Sequence, residues 1–364
     1  MPPPVDDDAT IQLKPPRPAR PAAVRVPAWG FGLIGTAALA VLTGGWLLWP
    51  APPVRMPPPP AEVTAPPAAA LPPLADPAPP PAPPAAVPEQ HEFIIETATE
   101  AAILNHVPVA GGPDPTVFQL TANPRIVVLD FASLREQGLM LNRVAALTEK
   151  SGLPHNLVLN DNELAAAIRA GGDTVETFYY GHDYSAQALA RFLSLADLDH
   201  IALTEQEETL RRLIGQEGWL ASDARGGLIS LPQVGADARV TLAARATILH
   251  HELSHGEYFT NPDYVAFVHR FWTQMLTEPE RGRIRRHLHS VGYDSSLDEV
   301  MENEAQAYLM FTDSAEFFTP DMIGMSKPRL AELRAAFYKA MPDGWLRDSL
   351  GQTVTAAKPA AARP

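Results

Sequence analysis

Ile248-Leu249-His250-His251-Glu252-Leu253-Ser254-His255 decides how this chain is read. It sets two imidazoles four residues apart with a carboxylate directly after the first. On a helix, that spacing brings His251 and His255 to one face, where they can share a metal ion. Glu252, rotated by about 100° from His251, reaches beside such an ion and is placed to take a proton from a water there. The register is unambiguous, because four residues after His250 comes Ser254. The preceding stretch, Thr241 to Leu249, is rich in Ala, Leu and Ile without Pro or Gly, and it predicts a helix buried on most sides.

Two imidazoles need a third protein ligand if one position is to stay open for chemistry. A third histidine in the metzincin pattern would require glycine at 258 and histidine at 261, where the chain has Tyr258 and Asn261. Further on, Glu299 to Met310 is apolar at helical spacing and unbroken by Pro or Gly. It predicts a second helix that presents Glu299, Glu302 and Glu304 as competing ligands.

These two segments resemble a zincin metallopeptidase of the gluzincin type. In that family HExxH supplies two histidines and a glutamate on a following helix supplies the third ligand, commonly in an Asn-Glu-Ala or Asn-Glu-Gly context. Asn303-Glu304-Ala305 fits that context. The resemblance therefore implies zinc held by His251, His255 and Glu304, with Glu302 as the fallback ligand. It implies Glu252 as general base in peptide-bond hydrolysis and an α+β, mostly helical catalytic domain with a small mixed sheet. It covers about residues 225–312. The chain departs from the pattern in three places: 48 residues lie between His255 and Glu304, Tyr308 stands where an aspartate often supports a ligand histidine, and Glu257 occupies a usually apolar position.

Within the long gap, Asn261-Pro262-Asp263 is a turn and cap signal. Tyr264 to Leu276 follows as an apolar-periodic core helix with Phe267, Val268, Phe271 and Trp272. Glu280 to Ser290 carries Arg281, Arg283, Arg285, Arg286, His287 and His289. Such a run reads first as a solvated face and second as a patch for a substrate carboxylate. Tyr293, Tyr308, His289 and His287 are the candidates to stabilise an oxyanion.

Upstream, Gly226 to Pro232 predicts a short strand. By the resemblance, Leu228, Ile229, Ser230 and Leu231 would form the cleft edge on which an extended peptide pairs. Arg125 to Phe131, His155 to Asn160 and Thr177 to Tyr180 predict further strands, with helices between them from about Ser133 to Ser151 and over the Ala-rich stretch beyond Asn160. Together they suggest a small mixed sheet. His182-Asp183 reads as a turn or cap after the last of these strands.

The ends of the chain say where this chemistry belongs. Residues 28–49 lack any charge and are long enough to span about 30 Å of hydrocarbon, with Trp29, Trp46 and Trp49 as interfacial anchors. Lys14, Arg17, Arg20 and Arg25 precede them, which puts residues 1–27 in the cytoplasm and the bulk of the chain outside. Trp49, where a cleavage site would want a small residue, favours an uncleaved transmembrane anchor over a signal peptide. Residues 50–90 are dominated by Pro and Ala and predict a disordered polyproline spacer, about 120 Å if extended at about 3.1 Å per residue. Residues 91–351 remain as the catalytic domain, and 352–364 as a disordered tail.

With no cysteine, disulfides and thiolate metal sites are excluded. A net charge of -14 argues against nucleic acid as a partner. The expected protein is a single-pass bacterial inner-membrane zinc metallopeptidase with a periplasmic domain, acting on a peptide or protein substrate. Two other readings stay open at this point: a zinc-dependent cell-wall amidase, which the spacer would suit and which implies cell-wall association, and a non-catalytic zinc-binding interaction module.

Overall fold

A computed structural model describes residues 93–356. In chain order these form β1 (Ile95–Ala98), α1 (Glu100–Leu104), β2 (Thr116–Leu120), β3 (Ile126–Phe131), α2 (Leu134–Thr148), α3 (Asp161–Ala170), β4 (His182–Ser185), α4 (Ala186–Leu198) and α5 (Glu205–Gln216). There follow β5 (Gly227–Pro232), α6 (Leu242–Thr260), α7 (Pro262–Arg270), α8 (Glu278–Ser290), α9 (Asp298–Gln306), α10 (Lys327–Ala340) and α11 (Trp345–Ala356). α7 and α9 each run on into one π-helical turn, Phe271–Met275 and Ala307–Phe311. The architecture is α+β, with helices around a small mixed sheet, as expected.

The five strands lie in the order β1-β2-β3-β5-β4. β3 and β5 are parallel neighbours at the centre, and β4 runs antiparallel to β5 at one edge. Every residue of β3 and β5 is buried, which explains their nearly unbroken apolar sequences: a strand covered on both faces has no solvent side to alternate toward. Helix α6 lies directly on β5 because both elements are glycine at the crossing. A Cβ on Gly227 would meet the Gly256 carbonyl at 3.2 Å, and one on Gly256 would meet Ile126 Cδ1 at 2.9 Å.

Helix α6 begins where Thr241 accepts from the Ala244 N–H and ends at Asn261, whose side chain then caps α7. Pro262 at the first turn of α7 completes the turn read from the sequence. One turn into α6, Arg245 is fully buried and donates to both carboxylate oxygens of Asp130 on β3, at 2.7 and 3.0 Å. Its remaining donors reach the carbonyls of Pro232, Ile103 and Leu104. One guanidinium thus ties the start of α6 to the ends of β3, β5 and α1.

Several expectations need correction. His155 to Asn160 is not a strand: Asn160 is the N-cap of α3 in a capping box with Glu163, and the Leu159 carbonyl is taken by Arg143 instead of a ladder. Thr177 to Tyr180 is also irregular, although Phe178, Tyr179 and Tyr180 are buried. The strand forms immediately afterwards, from His182, so the pair read as a turn lies in the sheet. Leu228 to Leu231 is no cleft edge, because β5 is hydrogen-bonded on both sides and the edge falls to β4. α11 continues to Ala356, into the stretch expected to be a disordered tail. The expected anchor and spacer, 28–90, and the end beyond Ala356 lie outside the described residues. Among the described residues no helix is long and apolar enough to cross a membrane.

Candidate metal centre

The 19-residue helix α6 buries His251, Glu252 and His255 on its inner side, and α9 brings Glu304 across to meet them. Nε2 of His251 lies 3.8 Å from one Glu304 oxygen, and Nε2 of His255 lies 3.8 Å from the other. Ligand atoms around a tetrahedral zinc stand about 3.4 Å apart, given bonds of about 2.1 Å. Each imidazole therefore stands only a few tenths of an ångström farther from its Glu304 oxygen than two zinc ligands would, and the three ligand atoms all lie within 4.8 Å of one another. Burial pushes the His251 ring well below its ordinary pKa and that of His255 down to about 4, so both imidazoles are neutral and offer a lone pair at neutral pH.

Hydrogen bonding determines which nitrogen of His251 offers it. The Thr312 hydroxyl donates its one proton to the Ala307 carbonyl at 3.1 Å, so at its 2.9 Å contact it must accept from Nδ1–H of His251. Nε2 is left unprotonated and faces Glu304. The π-helical turn after α9 makes this bond: by adding a residue to the turn, it puts Thr312 over Ala307 and against His251. Thr312→Val, of nearly equal size, is expected to weaken metal affinity about 10- to 100-fold, measured by competition with a chromophoric chelator. An unchanged affinity would show that Thr312 does not orient the ring.

A buried chain of side chains locks the two ligand helices together. Tyr264 donates to Gln306, Gln306 donates to Ser254, and Ser254 donates to the His251 carbonyl. Asn303 lies beside His255 and raises its proton affinity against the larger effect of burial. Nε2 of His255 and Oε2 of Glu252 are buried without a hydrogen-bond partner among the described residues. Orphaned atoms of this kind are rare in folded proteins and fit a site that takes a ligand. The donor set, two imidazoles and a carboxylate with no thiolate, is one that holds a divalent transition metal.

Glu252 does not belong to that triad. Burial, and then the charges of Asp183, Glu304 and Glu149, raise its carboxyl well above the ordinary range. The backbone of Gly181 lies flat against it, and a Cβ there would overlap Glu252 Oε1. Gly181→Ala is expected to destabilise the fold, since the buried Glu252 must shift from its carboxylate back to Cγ, and to lower any activity that depends on Glu252 by about 10- to 100-fold, because small misplacements of a reacting group are costly. Unfolding curves and initial rates measured on the same preparation check both parts.

Of the remaining candidates, Tyr308 is nearest. Its ring packs edge-on to His251, with centroids 5.0 Å apart. Burial, then Glu304 and Glu252, raise its phenol well above 10, while a hydrogen bond from Tyr293 acts the other way. Tyr293 is buried in the same wall, its phenol raised first by burial and then by Glu304. His287 packs against Tyr308 at 5.9 Å. His289 points elsewhere, to Ser151, and is set aside. Glu302 is also set aside, because it faces outward and pairs with His269 at 3.0 Å. The basic run holds loops: Arg281 donates to the carbonyls of Trp272, Thr273 and Leu276, Arg283 to that of Ile323, and Arg285 to Ser295 and Asp298.

Sequence reasoning missed Asp183 and Glu149. Asp183 on β4 forms one group with Glu252 and His255 and another with Glu149 and Glu304, each with its ligand atoms within 4.8 Å of one another. Burial raises the Asp183 carboxyl to about 7. A cleft of about 300 Å³, lined by Glu149, Asp183, Glu299 and Glu304 among others, leads to the centre past this edge strand. No protein-family model, curated protein or solved structure matches the chain.

Proposed function

We propose that this protein is a zinc-dependent metallopeptidase of the zincin type. The observation that carries the reading is the convergence of His251, His255 and Glu304 from two separate helices, with Glu252 beside them but outside the triad. Zinc bound there would supply Lewis-acid polarisation of a carbonyl and a water made acidic enough to lose its proton near neutral pH.

The chain's own residues supply the rest. Glu252, with its proton affinity raised by burial and by neighbouring charge, accepts the proton of the attacking water and returns it to the leaving amine. Tyr308, in contact with His251, stays protonated and offers an O–H donor for the oxyanion, while Tyr293 behind it donates to Tyr308. The sheet edge that suits an extended peptide belongs to β4, which among the described strands pairs only with β5.

The apolar stretch 28–49 and the Pro/Ala-rich segment after it support a single-pass anchor in a bacterial inner membrane, with the N-terminus cytoplasmic and the catalytic domain periplasmic. That same tether favours, as a second reading, a cell-wall amidase working by the same chemistry. Glu252, buried and orphaned, counts against a purely structural zinc module, which needs no base. Digestion of an unfolded protein substrate tests the proposal: cleavage should stop on chelation and return with zinc, and cleavage indifferent to chelator would overturn it.

A further inference from the structure

The cleft beside the metal centre carries more negative charge than the chemistry uses. Glu149, Asp183, Glu299 and Glu304 line it, and Arg191 is the basic residue among its walls. Arg191 is already engaged with the His155 carbonyl. Once Glu304 is assigned to the metal, three carboxylates still face a volume at the lower end of small-ligand pockets. Asp183 is the telling one. Among the described residues its carboxylate has no hydrogen-bond donor, and the nearest cationic candidate, Nδ1 of His255, stands at 3.7 Å and has no partner of its own. A carboxylate held largely out of water without a partner is costly.

A second observation points the same way. Glu252 is 3% exposed, its Oε2 has no partner, and it lies within 4.8 Å of the Asp183 carboxylate. Asp183 and Oε2 of Glu252 are thus two neighbouring acceptors that no donor among the described residues reaches, so a ligand is left to bring the donor. Asp183 sits on β4, paired with Ile229 on one side only, so a peptide laid along the open edge would run past it.

We propose that this cleft binds a primary ammonium group of the substrate peptide, with Asp183 as its principal partner and Glu149 and Glu299 completing the anionic wall. The proposal rests on the metallopeptidase reading and names its substrate class. An ammonium has three donors and no acceptor, which matches the carboxylates of this wall. It comes either from a lysine-like side chain next to the scissile bond or from a free N-terminus.

The test uses zinc-loaded full-length Glu252→Gln, which holds substrate without cutting it, in calorimetric titrations with three peptides of equal length. One is blocked at both ends and contains a single lysine, the second has norleucine in its place, and the third has norleucine with a free N-terminus. The lysine peptide, the free-amine peptide or both should bind about 10- to 100-fold more tightly than the blocked neutral one. Whichever does so identifies the source of the ammonium. Asp183→Asn in the same background should collapse the difference, and Glu299→Gln, at the outer wall, should reduce it if Asp183→Asn fails to hold zinc. Equal binding of all three peptides would overturn the proposal and leave the peptidase reading intact. Failure of any peptide to bind a zinc-loaded protein would overturn both. A second metal ion per chain that disappears in Asp183→Asn would also overturn it, since the carboxylates would then be metal ligands.

Discussion

Glu252→Gln is expected to lower kcat by about 10²- to 10⁴-fold while leaving zinc bound. The substitution keeps the shape that fits against Gly181 and removes only the proton-accepting oxygen. It also removes a buried carboxylate surrounded by the charges of Asp183, Glu304 and Glu149. Stability should therefore hold or rise as activity falls, a combination that simple misfolding does not produce. Initial rates, metal content and a denaturant curve on one preparation check the three parts together. Undiminished rates would mean that Glu252 is not the base.

The second large effect lies away from the chemistry. Arg245→Met should destabilise the fold by about 3–5 kcal/mol, because it takes the guanidinium from the buried Asp130 carboxylate, which keeps only His106 and Gln233, and removes a donor from three backbone carbonyls at the ends of β5 and α1. Adding Asp130→Asn should recover part of the loss, since the uncompensated charge is then gone. Urea unfolding of the two variants and the parent measures this, and a loss under about 1 kcal/mol for Arg245→Met would contradict it. The first turn of α6 would be released from the sheet, so metal affinity should fall as well.

Local signals were legible in the sequence wherever a short stretch determines its own structure. The HExxH spacing, the Asn261 cap and the apolar run of β3 needed nothing beyond their neighbours. The Asn-Glu-Ala context put Glu304 ahead of Glu302, and the facing of α9, which turns Glu302 to His269, agrees. Sheet order is non-local, and for that reason Leu228 to Leu231 read as an edge although β4, from an earlier part of the chain, covers it. Asp183 was hidden by the same fact. Thr312 was hidden by the π-helical turn, which shifts the phase of α9 by one residue and spoils any count at 3.6 per turn. His155 to Asn160 misled because its alternation resembles a strand, while Asn160 and Glu163 were already a capping box.

His251, His255 and Glu304 are proposed to hold one zinc ion. Elemental analysis of the full-length protein, purified without chelator or affinity metal, tests it most directly when Glu304→Ala and Glu302→Ala are measured beside it. One zinc per chain is expected in the parent and in Glu302→Ala, with a clear loss in Glu304→Ala. A folded parent without zinc, or a loss in Glu302→Ala with Glu304→Ala unaffected, would contradict it.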